Sequence, residues 1–168
     1  STVNALDVDV AVGKCQIGVN AITVDWINTY ASSLHSMIDT SIAIDEFNEV
    51  YINATCRQKA NDTDRDSIWV GKIDSAGALI WNYRYLTPGR DVTSAGKSAI
   101  DLFGDLNIAY TRDNNTNEYK TVDVLKIGYD GLIKNHTTTE FTADNIEGLQ
   151  IHGLDVDTSG DVHTFGQT

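Results

Sequence analysis

The sequence predicts an all-β protein built from a repeated hairpin, and three observations support this prediction. An aspartate that follows a β-branched residue recurs at positions 45, 101 and 157, so the copies are 56 residues apart both times. Three residues after each aspartate stands Asn48, Gly104 or Gly160, and five residues after it a new apolar run begins. Because Asn and Gly enter the positive-φ region at low cost, each copy is predicted to be a strand, a tight turn and a second strand.

A second hairpin follows the first within each unit. An apolar run at 68–73 leads into a turn that ends at Gly77, and residues 78–81 continue beyond it. The next unit repeats this order with a turn that ends at Gly131. Each unit is therefore predicted to hold four short antiparallel strands, with tight turns at its first and third connections and longer segments elsewhere. Four-stranded units of this length are typical of the blades of a β-propeller.

About three and a half blades are predicted. In the first blade we place a turn at Val12-Gly13 and a third strand at 23–27. The predicted divisions are 1–41 (a degenerate blade), 42–98, 99–153 and 154–168 (a half blade). Because a propeller needs at least about four blades to close, we expect the chain to be part of a larger chain or a homo-oligomer. Both incomplete ends are predicted to begin with a first and a second strand, so they do not complement each other, which favours the larger chain.

The repeat motif also resembles a known class of proteins. The pattern Ile-Asp-x-x-Gly-Asp, followed by Lys-Ile-Asp-x-x-Gly-x-Leu-x-Trp, resembles the β-propeller repeats of bacterial surface and secreted proteins and of phage tail and appendage proteins. The resemblance covers residues 42–168 well and the first 40 weakly. It implies an extracellular or virion-surface location. It implies no active-site residues, because propellers serve as lectins, hydrolases, scaffolds and adhesins alike.

Charge is predicted to divide between the two ends of the strands. The segments expected to be long connections hold nine of the 12 basic residues and nine of the 24 acidic residues. These segments are 54–66, 82–97, 110–120 and 134–150. The formal net charge of −12 therefore lies elsewhere, and we expect the end with the tight turns to be strongly acidic. With a pI near 4.4 and no basic stripe, nucleic-acid binding is disfavoured.

The turn aspartates have two interpretations. An aspartate at the start of a turn accepts hydrogen bonds from backbone N–H groups further along the turn, which is a purely structural role. Clustered carboxylates also suit calcium, but the chain contains neither an EF-hand loop nor the nonapeptide of calcium β-rolls. We therefore expect no cofactor, with calcium as the alternative.

The predicted long connections carry the candidate ligand- or partner-binding residues. Tyrosine, arginine and asparagine supply rigid contact area and hydrogen bonds, a mixture that suits polar recognition. The candidates are Tyr83, Arg84, Tyr85, Arg90, Tyr110, Arg112, Asn115 and Tyr119. The expected partners are other protein chains of an assembly or cell-surface glycans. The alternative interpretation, that these connections are only solvated spacers between strands, stays open.

No catalytic motif is found in the sequence. The histidines show no metal-ligand spacing, and His163 is expected to face Asp155 across the last hairpin. There is no Gly-x-Ser-x-Gly, no phosphate-binding glycine loop and no His-Glu-x-x-His. Cys15 and Cys56 are predicted to be free thiols, because a bond would have to cross a blade boundary and a strand length. No apolar run is long enough for a membrane span.

These observations predict a non-enzymatic structural or recognition module of a virion appendage, such as a phage tail or fibre, or of a cell-surface protein. The alternatives are a carbohydrate-binding propeller lectin and a fragment of a propeller hydrolase.

Overall fold

Antiparallel strands form all of the regular structure in the described part of the chain. The computed structural model describes residues 10–19, 21–30, 35–58, 67–85, 91–94, 96–113, 120–141 and 149–167. The strands are β1 (Val10–Ile17), β2 (Ile22–Tyr30), β3 (His35–Ile44), β4 (Val50–Gln58), β5 (Ser67–Ile73), β6 (Leu79–Tyr85), β7 (Asp91–Ser94), β8 (Ser98–Ile100), β9 (Leu106–Asp113), β10 (Lys120–Ile127), β11 (Ile133–Phe141), β12 (Gln150–Val156) and β13 (Val162–Gln167). No helix occurs in these residues, so the predicted all-β class is confirmed.

The strands form four sheets, numbered here I to IV in chain order. Sheet I is β1-β2, sheet II is β3-β4-β5-β6 and sheet IV is β12-β13. Sheet III has the order β11-β10-β9-β7, and β8 also pairs with β9. Strands β7 and β8 share the place of one strand, because they pair with successive stretches of β9. The predicted four-stranded antiparallel units are therefore confirmed in sheets II and III.

The tight turns have the predicted chemistry. Asn48, Gly104 and Gly160 have φ values of 60°, 76° and 87°. At each of these turns the Oδ1 atom of the aspartate three residues earlier accepts hydrogen bonds from the N–H groups two and four residues beyond it, at 2.8–3.0 Å. Asp74 makes the same pair of bonds in the second hairpin of sheet II. The structural interpretation of these aspartates is confirmed.

The start of the chain differs from the prediction. Strand β1 runs straight through the turn expected at Val12-Gly13, and the chain turns instead at Gly18, whose N–H donates to the carbonyl of Ala21 at 2.8 Å. Gly13 is required for a different reason: a Cβ there would lie 3.0 Å from the carbonyl oxygen of Trp26 on the paired strand. Residues 5–9, expected to be the first strand, lie outside the described residues.

Strands also extend further than predicted. Strand β3 begins at His35 and β12 at Gln150, so the expected divisions after 41 and after 153 fall inside strands. Strands β4, β6, β9 and β11 likewise continue into the segments predicted as long connections. The reason is that polar residues such as Asn53, Thr55 and Thr111, typical of loops in a sequence, are here buried strand residues.

One contact repeats between successive sheets. Trp26 Nε1 of sheet I donates to the carbonyl of Ser75 in sheet II at 3.3 Å, and Trp81 Nε1 of sheet II donates to the carbonyl of Tyr129 in sheet III at 2.9 Å. The contact between sheets I and II is therefore equivalent to the contact between sheets II and III. Strand β2 supplies the tryptophan in the first contact, and β6 supplies it in the second. The described part of sheet I therefore does not have the contacts of a first and a second strand, which the sequence predicts there.

The hydrophobic core lies between the sheets. One buried cluster joins sheets I and II and includes Val10, Val12, Met37 and Trp69. A second joins sheets II and III. The first strands of sheets II, III and IV, which are β3, β8 and β12, lie next to one another.

Candidate functional site

The structure places five of the predicted binding residues in strands rather than in connections. Tyr83, Arg84 and Tyr85 belong to β6, and Tyr110 and Arg112 belong to β9. The other three candidates, Arg90, Asn115 and Tyr119, lie outside the described residues.

The prediction that Tyr110 and Arg112 lie in an exposed connection is wrong. Their exposed fractions are 1% and 7%. Strand β9 is an inner strand, with β10 on one side and β7 and β8 on the other. Its residues 106–112 are all buried, so both of its sheet faces are covered there. The Tyr110 ring belongs to the core between sheets II and III.

Tyr110 and Arg112 meet around one buried carboxylate, that of Asp123 on β10, which is fully buried. Arg112 donates from Nε to Asp123 Oδ2 at 2.6 Å and from its terminal nitrogen to Oδ1. Two hydroxyl groups also donate to this carboxylate, those of Thr121, at 2.8 Å, and Thr138. With His136 these residues form the group called here the Asp123 cluster.

His136 connects the cluster to the surface. Its Nε2 atom lies 2.9 Å from Asp123 Oδ1 and 3.0 Å from the Tyr110 hydroxyl. The imidazole stacks on the Tyr110 ring at 6.2 Å between centroids, and 35% of the His136 side chain is exposed. The cluster is therefore a continuous chain of hydrogen bonds from the inside of sheet III to its outer strand.

Hydrogen bonding decides the charge of Asp123. Burial acts to raise the pKa of this carboxyl, but the bonds from Arg112, Thr138 and Thr121 outweigh burial and hold the pKa below its ordinary value. Burial raises the pKa of Tyr110 well above its ordinary value, and the Asp123 charge raises it further. At neutral pH Tyr110 is therefore an uncharged phenol and Asp123 a charged carboxylate. Since both carboxylate oxygens are already bonded, the cluster braces three strands rather than offering a free acid or base.

The aromatic residues of β6 form a second group. Trp81 and Tyr83 lie 5.6 Å apart between ring centroids, and Tyr83 and Tyr85 lie 6.3 Å apart. The Tyr85 hydroxyl donates to the carbonyl of Gly131 in sheet III at 2.6 Å, and burial raises the pKa of Tyr85 to about 12. Tyr83 keeps an exposed fraction of 45%. Tyr83 is thus the predicted binding residue that is most open to a ligand among those described.

Arg84 is separated from these tyrosines. Successive side chains of a strand point to opposite faces, so Arg84 lies on the other face from Tyr83 and Tyr85. There its Nε atom donates to Ser67 Oγ at 2.5 Å. The eight predicted residues therefore do not converge on one site.

The tight turns gather at one end of each sheet, as predicted, but lysines partly neutralise that end. Lys72 lies 2.5 Å from Glu49, and Lys126 lies 2.6 Å from Asp101. Lys134 lies 2.6 Å from Asp105, so its assignment to the neutral end was wrong. Strand β11 begins immediately after the turn, which places Lys134 there. Among the described residues no group of three or more His, Cys, Asp or Glu side chains could hold a metal ion.

Sequence reasoning missed Asp123 and His136. A signal for Asp123 was present, because it interrupts the apolar run 122–125 of a strand, where an acid needs a buried partner. No comparable signal marked His136, since its partner Asp123 lies 13 residues away on a neighbouring strand.

Two smaller predictions are confirmed. His163 pairs with Asp155 across the last hairpin, and its ring bonds to Asp157 Oδ2 at 2.9 Å. Cys15 and Cys56 form no disulfide bond, and the first is exposed and the second buried.

Comparison with protein-family models matches no family to this chain, and comparison with curated proteins finds no match. The described residues contain no long, strongly apolar helix of the kind that spans a membrane.

Proposed function

We propose that the four sheets are blades of a β-propeller. Blades stand around an axis with their first strands innermost, and each rests on the next. Three features support this arrangement: the sheets follow one another in chain order, the strands β3, β8 and β12 are neighbours, and the tryptophan-to-turn bond repeats. The repeated bond is the observation that carries the proposal, because a repeated step between sheets arranges them about a common axis, as blades are.

The repeated bond gives a direct test. Trp26→Phe and Trp81→Phe each remove one N–H donor while keeping an aromatic ring, and each should lower the free energy of unfolding by about 1 kcal/mol. Urea denaturation measures both. An effect at one tryptophan and none at the other would contradict a repeated step between blades.

We further propose that this propeller is a non-enzymatic structural or recognition module of a virion appendage or a cell-surface protein. The buried acids support the non-enzymatic role, because in the described residues each of them has a basic partner: Asp101 with Lys126, Asp105 with Lys134 and Asp123 with Arg112. The resemblance of the repeat to those of surface and appendage proteins supports the location.

Partner contacts are proposed at the end of the blades opposite the acidic turns. The predicted candidates Arg90, Asn115 and Tyr119 lie outside the described residues and belong, by sequence, to the segments 86–90 and 114–119 between strands. A carbohydrate ligand is the second candidate function, and the exposed Tyr83 beside Trp81 favours it, since sugar rings stack on aromatic faces.

An array of bacterial surface glycans and a panel of chromogenic glycosides and esters separate these functions. A structural module binds no glycan and cleaves no substrate, whereas a lectin binds a defined set of glycans. If the protein is a lectin, the triple variant Arg90→Ala, Asn115→Ala, Tyr119→Ala should lose glycan binding. A matched triple variant of exposed turn residues, Glu46→Ala, Ser75→Ala, Thr158→Ala, should retain it. Turnover of any substrate would contradict the non-enzymatic proposal.

A further inference from the structure

Sheets I and IV resemble different halves of the four-stranded sheets. Sheet IV turns at Asp157, which continues the 56-residue series of the first-hairpin aspartates Asp45 and Asp101. Sheet I shares a feature of the second hairpins instead: the pairing has a bulge directly after Lys14, as it has after Lys72 in sheet II and after Lys126 in sheet III. Sheet IV thus has the features of the first two strands of a sheet, and sheet I has those of the last two.

We propose that β13 of one copy pairs with β1 of a second copy, which completes the sheet in the order β12-β13-β1-β2. This inference rests on the proposed blade arrangement. The expected register follows from the complete sheets, where Val50 pairs with Ile73 and Leu106 pairs with Ile127. In β1 the residue equivalent to Ile73 and Ile127 is Cys15, because it also follows a bulge after a lysine. The same offset therefore places Val162 opposite the partner's Cys15, and Thr164 opposite the partner's Gly13.

Both strand edges that this pairing needs are open in the described residues. Strand β1 pairs there with β2 alone, and β13 pairs with β12 alone. The corresponding edges of sheet II are joined by the β4–β5 ladder and those of sheet III by the β9–β10 ladder. An open edge presents a row of unpaired N–H and C=O groups, which a strand of matching length satisfies.

Side-chain burial also indicates that a neighbouring strand is missing at the edge of β1. Ile73 and Ile127, in the last position of the third strand, are both fully buried. Cys15 is the equivalent residue of β1, directly after the bulge, and it is exposed. Two residues further on, Ile17 is 85% exposed and lies directly opposite Ile22, which is 69% exposed. Monomeric proteins rarely leave apolar side chains clustered at an open edge.

A cleft marks where the missing strands belong. It has a volume of about 500 Å³ and lies between β10 and β11 of sheet III and β13 of sheet IV. Val122 and Val124 line it and stay partly exposed. The equivalent residues of sheet II, Ile68 and Val70, are fully buried in the core shared with sheet III. The partner's β1-β2 hairpin would cover the two valines in the same way.

A second copy is the occupant that the blade count favours. Two complete sheets and two halves amount to three blades, which is below the four that a closed propeller needs. Two copies joined at both junctions make six blades, inside the usual range of four to eight. Head-to-tail contacts between unlike edges close into a ring in this way.

The predicted register supplies a cross-linking test, because Cys15 is an exposed free thiol. Val162→Cys places a second thiol opposite the partner's Cys15, where directly opposed Cβ atoms lie about 4.5–5.5 Å apart, close to disulfide geometry. Mild oxidation should then give a covalent dimer on a non-reducing gel. His163→Cys, whose side chain is on the opposite sheet face, should not, and neither should Val162→Cys combined with Cys15→Ser. Equal cross-linking by Val162→Cys and His163→Cys, or none, would overturn the register.

The mass in solution provides the second measurement. Light scattering should give twice the chain mass of 18.4 kDa for the wild type and for Phe47→Lys, which changes an exposed turn residue of sheet II. Cys15→Lys, at the position equivalent to the buried Ile73, should give a monomer at the same concentration. A monomeric wild type would overturn the pairing between copies and would mean that other chain segments complete the sheet. The blade arrangement would survive that outcome if Trp26→Phe and Trp81→Phe still destabilise equally.

Discussion

Replacing Arg112 with methionine should destabilise the protein in a pH-dependent way. Methionine keeps much of the side-chain volume but removes the guanidinium that pairs with the buried Asp123. Removing one partner of a buried ion pair costs about 3–5 kcal/mol, because the other charge stays buried. Asp123 keeps Thr121, Thr138 and His136 as neighbours, so we expect the lower end, about 3 kcal/mol at pH 7.

The pH dependence follows from the pKa of Asp123. In the wild type this pKa is below the ordinary value of 3.8, so the stabilisation that Asp123 contributes is complete above pH 3.8 and is lost as the pH falls through the folded-state pKa. Without Arg112, burial dominates and raises the folded-state pKa above 3.8. When Asp123 is protonated in the variant, no unpaired charge is buried, and the loss of stability relative to the wild type disappears. The stability difference between wild type and variant should therefore narrow as the pH falls from 7 towards 4.

Urea denaturation followed by tryptophan fluorescence measures this difference at each pH. Other carboxylates titrate in both proteins, so their contribution cancels. Lys14→Met is the matched control: it removes an exposed ion pair with Asp25 and should change stability by less than about 1 kcal/mol. A difference for Arg112→Met that is constant between pH 7 and pH 4 would refute the reasoning about Asp123.

Three further predictions concern turns and thiols. Gly104→Ala should lower the free energy of unfolding by about 1–2 kcal/mol, because the φ of Gly104 is 76°, although a Cβ there meets no atom within 4 Å. In the same denaturation assay Gly131→Ala should lower the free energy of unfolding further, because its Cβ would displace the aromatic rings of sheet II. Asn48→Gly should change stability by less than about 0.5 kcal/mol, since relief of positive φ offsets the added freedom of the unfolded chain, and a large loss would contradict the turn assignment. A maleimide should label Cys15 in the folded protein within minutes and Cys56 only after unfolding, as mass spectrometry of peptides would show.

Local chemistry made the repeated turns predictable. Positive φ at Asn48, Gly104 and Gly160 depends on the residue at one position and on an aspartate three residues earlier, and both are visible in the sequence. Gly13 shows where this reasoning fails. A glycine marks either a turn or a place where another strand comes close, and only the pairing of β1 with β2 distinguishes the two.

The candidate site was less predictable than the fold. Tyr110 and Arg112 were selected because polar and aromatic residues in succession are typical of binding loops, yet they alternate along a buried strand. The partner of Arg112, Asp123, is 11 residues away in the chain, and the Tyr110 hydroxyl is linked to that carboxylate through His136, 26 residues from Tyr110. Proximity of this kind comes from the ladder between β9 and β10, and the residues of one strand do not reveal it.

By itself, therefore, the sequence determined the all-β class, the 56-residue repeat and the turns, because each depends on residues close together in the chain. Only the tertiary structure decided how sheet I meets sheet II, because the contact is a bond from Trp26 to Ser75, 49 residues away. It likewise decided which polar residues are buried. Burial depends on what packs against a strand face, and in both hydrophobic clusters the neighbours come from an adjacent sheet.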